Sequence, residues 1–213
     1  MFFSVGVVVR FFPPSALQEA LGQSSPPPKG VPQFILNMSE WPYIAGPRFI
    51  AALEQRGGLT LVDQALRHWP ISTEQVIHPE RYPGDVPTPL DIPQLAPKLG
   101  KGWRDLDVEE VGEEWLSAWL GLRLDPTQWR PATDGWDGGL YRAWSDGKRV
   151  AVVMRTAWDT TGDAGQFQRA VEGWIEPNEH AAAVRRASRR VDVLFATDRA
   201  TLRRLQTLDP ARG

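Results

Sequence analysis

Few residues of this chain could bind a catalytic metal ion. The small number of histidines is the main limit. The 213-residue chain has three histidines and no cysteine. None of His68, His78 and His180 lies in an H-E-x-x-H sequence, the helical pattern that places two imidazoles and a general-base glutamate around zinc. A catalytic zinc ion needs three protein ligands and an open position, and thiol catalysis needs cysteine. The sequence therefore predicts no metal site and no cofactor in this chain.

A second candidate for chemistry is Tyr43, which stands in WPYIAGPRF with Gly46 three residues later. A tyrosine hydroxyl is a neutral donor that stabilises negative charge developing on an oxyanion. Y-x-x-G is a weak pattern, however, and a structural alternative is that Tyr43 packs as an apolar residue at a helix start.

A more specific motif is STEQVIHPE, which covers residues 72–80. Ser72 with Gln75 three residues later has the spacing of a capping box and predicts a short helix that ends before Pro79. In this setting Glu74 caps or forms a local salt bridge. The structural alternative for His78 is a ring bonded to a nearby carbonyl group ahead of the proline turn.

Several segments, in conserved order and spacing, resemble a family of bacterial and haloarchaeal surface-type proteins related to gluzincin zinc metallopeptidases. The resemblance covers roughly residues 32–174 and concerns only the region that follows the zinc site in that family. The matching segments are Trp41-Pro42-Tyr43, Gly57-Gly58-Leu59, Ser72-Thr73-Glu74-Gln75, His78-Pro79-Glu80, Gly135-Trp136-Asp137-Gly138-Gly139 and Trp158-Asp159.

The resemblance implies roles for four residues. Tyr43 corresponds to an oxyanion donor in relatives, and His78 to a group behind the metal ligands or on the substrate side. Gly46 and Glu74 correspond to substrate-binding positions. Zinc is expected only in full-length relatives, where its ligands precede the region matched here. We therefore expect a chain truncated at its amino terminus relative to the family, inactive as a peptidase alone, and cell-surface or secreted.

Charge and composition limit the partners. The formal net charge of −2 gives no general attraction to nucleic acid or to an anionic membrane. The apolar start, MFFSVGVVVRFF, is too short to span a bilayer and lacks the basic region of a signal peptide. The expected partners are a second copy of the chain or an upstream zinc-binding half. The ten tryptophans keep a different function open, a non-catalytic module that binds a peptide, a glycan or a protein.

The pattern of elements predicts an α+β fold in three parts: residues 1–31 as an amino-terminal segment and proline-rich linker, 32–130 as a helical part, and 131–213 as a small α+β unit. Residues 44–69 read as a helical hairpin broken at Gly57 and Gly58. Asp107 and Glu110 have capping-box spacing and predict a helix that continues through Leu120.

The third part has its own pattern. Asp146-Gly147 predicts a tight turn between two β-prone runs. A helix over residues 161–174, an exposed arginine-rich loop at RRASRR, a buried strand in VDVLFATD and a final helix in RATLRRLQTL follow. GWDGGLY contains Asp and Gly but lacks the repeated ligands of a calcium loop, so we interpret it as the lead-in to the hairpin.

Overall fold

The computed structural model describes residues 29–175 and 181–208. The chain is α+β and divides into two compact units, Met1–Asp85 and Val86–Gly213. The boundary predicted between residues 130 and 131 falls inside the second unit. The apolar start MFFSVGVVVRFF and His180 lie outside the described residues.

The first unit is built on a long helix, α1 (Gln33–Arg67), whose backbone is non-helical at Gly57 and Gly58. The predicted glycine break is therefore confirmed, and Gly58 has a positive φ of 64° that favours glycine. The predicted start near residue 44 is wrong. The helix begins at Gln33 and continues through Pro42 and Pro47. Each proline removes one backbone donor but holds a helical φ, so neither ends the helix here.

A short helix, α2 (Thr73–Ile77), follows α1, and a single 3-10 turn over Pro79–Arg81 follows that. The core of this unit comprises Phe49, Leu53, Ala65 and Tyr82. The rings of Phe49 and Tyr82 meet edge to face with their centroids 5.7 Å apart. The segment after α2 is thus held against α1 by an aromatic contact.

The second unit contains five strands and the helices that cover them. In chain order its elements are α3 (Ala96–Leu99), β1 (Arg104–Glu110), α4 (Glu113–Leu120), α5 (Pro126–Thr133), β2 (Trp136–Ser145), β3 (Val150–Trp158), α6 (Thr161–Trp174), β4 (Ala181–Ala187), β5 (Arg190–Ala196) and α7 (Arg199–Leu208). The strands form one antiparallel sheet in the order β1-β2-β3-β5-β4.

Strand β1 replaces the first turns of a predicted helix. The capping box expected at Asp107 and Glu110 is wrong, because this stretch pairs with β2, and the helix begins only at Glu113. Just beyond the strand, the Val111 amide donates to the Gly139 carbonyl at 3.0 Å and extends the pairing. Pairing with β2 satisfies the same backbone groups that a helix would have used.

Strand β4 corrects a second expectation. The RRASRR segment is not an exposed loop, because Arg185 and Arg186 lie in β4 and Arg190 begins β5. The two strands meet at a tight turn in which Ser188 has a φ of 55°. The sheet therefore has two more strands than the hairpin and single strand that the sequence pattern indicated.

Three local predictions are confirmed. Gly147 in the β2–β3 turn has a φ of 91°, in the region that glycine adopts without strain. Helix α6 spans the predicted residues and begins with a capping box between Thr160 and Asp163. Asp198 caps α7, since its carboxylate accepts hydrogen bonds from the amides of Ala200 and Thr201 at 2.8 Å.

The tryptophans are mainly core residues. Six of the ten are buried: Trp103, Trp119, Trp136, Trp144, Trp158 and Trp174. Trp144 is fully enclosed in a cluster that joins the sheet to α3 and α7. Among the described helices, none has the length and apolar character needed to cross a membrane.

Candidate functional site

The motif STEQVIHPERYP folds into a compact segment of the first unit, residues 72–83, which we call the clip. Ser72 is the N-cap of α2, as predicted, and its Oγ accepts a hydrogen bond from the Gln75 amide at 3.1 Å. The helix ends at Ile77, where the backbone amide of His78 still donates to the Glu74 carbonyl at 2.7 Å. Local capping therefore determines how the clip begins and where its helix stops.

Glu74 is at the centre of the clip and is 1% exposed. Its carboxylate pairs with the Arg81 guanidinium, with an N–O distance of 2.5 Å, and the same guanidinium lies 3.3 Å from the carboxylate of Asp85. A buried carboxylate requires such a partner, because an uncompensated charge in the interior is costly. In this arrangement Glu74 closes the clip on itself, and its side chain is not presented to solvent for a substrate.

The side chain of Gln75 joins the residues that flank the clip on its two sides. It is 1% exposed, its Oε1 accepts a hydrogen bond from the Ile71 amide at 3.0 Å, and its Nε2 donates to the Asp85 carbonyl at 2.5 Å. Both functions of the amide are thus used to satisfy backbone groups. A charged or shorter residue would leave at least one of these groups without its partner.

Tyr82 attaches the clip to α1. Its ring is 2% exposed, and its hydroxyl donates to the His68 carbonyl at 2.6 Å. Burial raises the pKa of this hydroxyl above its ordinary value, which keeps it protonated as a donor. Arg56 adds a second attachment by donating to the carbonyls of Pro79 and Tyr82.

His78 lies at the surface of the clip. Its side chain is 24% exposed, and Nδ1 lies 3.8 Å from Oε1 of Glu80, whose side chain is 69% exposed. A carboxylate therefore lies near this ring.

Tyr43 lies on α1, well inside the helix rather than at its start, and is 70% exposed. The alternative that it packs at a helix start is therefore wrong. Gly46, one turn further on, is buried. Ile44 beside it is 54% exposed, so the tyrosine belongs to a partly apolar surface.

The described residues do not fit a zinc ion. No group of three or more His, Cys, Asp or Glu side chains that could hold a metal occurs within residues 29–175 and 181–208. His68 and His78 belong to the same unit, but the backbone carbonyl of His68 is the group used there, as acceptor for Tyr82. No catalytic step through zinc is derived for this chain.

The GWDGG segment of the second unit has a structural function. Asp137 Oδ2 accepts a hydrogen bond from Thr88 Oγ1 at 2.6 Å, and its backbone carbonyl accepts the Thr88 amide at 2.5 Å. A Cβ on Gly138 would lie 2.4 Å from the Thr88 carbonyl oxygen, so only glycine allows this approach. The segment forms the beginning of β2 itself, so the strand starts earlier than the lead-in that the sequence predicted.

The sequence pattern did not identify one pair of adjacent carboxylates as a candidate site. Glu113 and Glu114 open α4, and Glu113 is 4% exposed. Burial, together with the negative charge of Glu113, raises the pKa of Glu114 to about 7. Strongly shifted carboxyl groups occur often at functional sites, though structural clusters shift them as well. The only signal in the sequence was the EE pair directly before an apolar helix.

An aromatic cluster lies beside that pair. Trp115 approaches Trp119 and Tyr141 with centroid distances of 6.1 Å each, and Trp119 approaches Trp174 at 4.9 Å. Burial, and a hydrogen bond donated to Asp107, raise the pKa of Tyr141 to about 12. These rings contact one another and fill the space between α4, α6 and the sheet. They do not form an open stacking platform for a glycan.

Comparison with known protein families places a match in the second unit. Residues 101–206 match a family model described as a domain of unknown function, DUF8575. The matched segment lies within the second unit and runs from just before β1 into α7. No curated protein and no solved structure matches the chain significantly.

Proposed function

We propose that this chain is a metallopeptidase-related protein without a zinc site of its own, which does not hydrolyse peptides as an isolated chain. The observation that carries the proposal is the clip. The most specific motif of the resemblance forms an ordered structure held by Glu74, Gln75 and Tyr82, while the described residues contain no cluster for zinc. This combination fits the substrate-side part of a hydrolase whose zinc-binding half is supplied by another segment or chain.

Within this proposal, Tyr43 is the residue with a chemical role. Its exposed hydroxyl is available to donate a hydrogen bond to an oxygen atom that gains negative charge on a bound group. His78 and the neighbouring Glu80 form a second polar group at the surface of the same unit. The resemblance also implies a location at the cell surface or outside the cell.

Elemental analysis and a peptidase assay test the proposal. We expect the purified chain to hold no stoichiometric zinc, and to cleave no peptide in a manner that a chelator abolishes. A protein with a catalytic zinc site normally retains its ion. About one tightly bound zinc ion per chain would contradict the proposal, and chelator-sensitive cleavage by a preparation free of other peptidases would contradict it as well.

A second candidate function is a non-catalytic interaction module, and exposed apolar side chains in the first unit favour it. These side chains are 52–72% exposed and comprise Ile35, Tyr43, Ile44, Leu59, Trp69 and Ile71. Exposed apolar surface favours association with another chain. The buried state of most tryptophans opposes a glycan-binding platform, so the partner of this alternative is a protein or a second copy.

Dye binding and light scattering distinguish the alternatives for the first unit. If its apolar surface binds a partner, Trp69→Ser and Ile71→Ser together should reduce binding of an apolar dye and shift an associated form towards the monomer. Glu54→Ser, at another exposed position, is the control. A wild-type chain that binds no dye would contradict the interaction module, and one that is monomeric at high concentration would exclude a second copy as its partner.

A further inference from the structure

The two edges of the five-stranded sheet carry opposite charges. Strand β1 forms one edge and β4 forms the other, with three strands between them. Strand β1 carries four carboxylates, Asp105, Asp107, Glu109 and Glu110, against one arginine, Arg104. The β4 edge and its turn into β5 carry Arg185, Arg186, Arg189 and Arg190. One sheet therefore presents an acidic edge and a basic edge.

Several of these charged side chains form hydrogen bonds to uncharged partners. On the acidic edge, Asp105 pairs with Arg142 at 3.0 Å, but the Asp107 carboxylate accepts its hydrogen bond from the neutral hydroxyl of Tyr141. On the basic edge, Arg186 donates to the side-chain oxygen of Gln168 at 2.8 Å, and Arg189 donates to a backbone carbonyl at 3.2 Å. These acceptors carry no charge, so neither hydrogen bond neutralises the charge of its guanidinium group.

The β1 edge is also open. All seven of its residues are exposed, and the apolar side chains of Leu106 and Val108 are 56% and 45% exposed. An edge strand has one row of backbone N–H and C=O groups that no neighbouring strand satisfies, and such rows pair readily with another chain. Strand β4 also has seven residues, so the two edges match in length.

We propose that the β1 edge of one copy of this chain pairs with the β4 edge of a second copy. Pairing β1 with β1, or β4 with β4, would bring like charges together and is disfavoured. Pairing β1 with β4 brings carboxylates beside guanidinium groups and covers Leu106 and Val108. Because this contact joins two different surfaces, each added copy exposes a new free edge, and the chain assembles head to tail.

Charge reversal on the full-length chain tests the proposal. Glu109→Lys with Glu110→Lys replaces two negative charges of the β1 edge by positive ones, and Arg186→Glu with Arg189→Glu replaces two positive charges of the β4 edge by negative ones. We expect each variant to be monomeric by sedimentation at low salt. An equimolar mixture of the two variants should associate again, because the reversed charges on β1 of one variant are opposite in sign to the reversed charges on β4 of the other. Glu40→Lys with Glu54→Lys, exposed on α1, is a control of equal charge change.

The wild-type chain gives an independent test. Its self-association should weaken at least ~10-fold between about 0.05 and 0.5 M salt, since ionic screening becomes strong over this range. Association that survives both reversals, or that the control variant abolishes equally, would overturn the proposal. A wild-type chain that stays monomeric at low salt and high concentration would also overturn it and would indicate that the edge charges prevent pairing.

Discussion

Arg155 and Asp192 form a buried two-point ion pair between the central strands β3 and β5. Their Cα atoms are directly paired in the strand register, and both residues are 2% exposed. Arg155 Nε and Nη2 donate to the two carboxylate oxygens at 2.8 and 3.0 Å, and Nη1 donates to the Asp91 carbonyl at 2.8 Å. The pair links the middle of the sheet to the segment that precedes α3.

This geometry predicts a large effect when one partner is removed. Asp192→Ala should lower the free energy of unfolding by about 3–5 kcal/mol, because it leaves the Arg155 charge buried without its partner. The double variant Arg155→Met with Asp192→Leu should be destabilised less than the single variant. Denaturant unfolding of the three proteins measures both effects. A single variant within about 1 kcal/mol of wild type would show that the interior tolerates the lone charge.

Two tyrosines provide a matched comparison in the first unit. Tyr43→Phe should change the free energy of unfolding by less than about 0.5 kcal/mol, because the exposed hydroxyl loses no buried partner. Tyr82→Phe should cost about 1 kcal/mol or more, because it leaves the His68 carbonyl without its donor. Denaturant unfolding of both variants measures these changes. A large loss of unfolding free energy in Tyr43→Phe would contradict the interpretation of Tyr43 as an exposed donor.

Substitution of Glu74 distinguishes a structural role of this residue from a substrate-binding role. Glu74→Ala should destabilise the first unit by about 2 kcal/mol, because the charge-assisted hydrogen bond to Arg81 is lost while Asp85 remains beside that guanidinium. The control is Glu80→Ala, since the Glu80 side chain is 69% exposed. This change should have little effect. Thermal unfolding followed by circular dichroism measures both. If Glu74→Ala melts like wild type, the clip does not depend on the ion pair.

Glu114 predicts a pH dependence of stability. The pKa in the folded chain is raised to about 7 from an ordinary value of 4.5, so the folded state holds the proton more tightly than the unfolded state does. The contribution of Glu114 to stability therefore falls as the pH rises from about 4.5 to about 7.

The variant Glu114→Gln removes this titration. We expect it to be more stable than wild type by about 2 kcal/mol above pH 7, with the difference vanishing near pH 4.5. Denaturant midpoints of the two proteins between pH 4 and pH 8 measure the effect. Glu54→Gln, at an exposed position of α1, is the control and should show no such trend. A difference that does not change with pH would contradict the assignment.

The features that the sequence predicted correctly depend on neighbours within a few residues. Ser72 caps α2 through an amide three residues later, and Gly147 allows the tight turn between β2 and β3. Gly57 and Gly58 break α1 for the same local reason. Capping and turn formation need only the local backbone, so their patterns are visible in one short stretch of sequence.

Residues distant in sequence decided the rest. Residues 107–110 have the spacing of a capping box, but pairing with β2, more than 30 residues away, makes them a strand. Glu74 and Gln75 look like helix-cap residues, yet Arg81 and Asp85 give them a closing role in the clip. Arg155 finds Asp192 only because β5 lies beside β3 in the sheet. Helix propensities of ordinary residues differ by about 1 kcal/mol or less per residue. Leaving a buried charge without its partner costs several kcal/mol. Tertiary contacts therefore prevail where they conflict with local propensity.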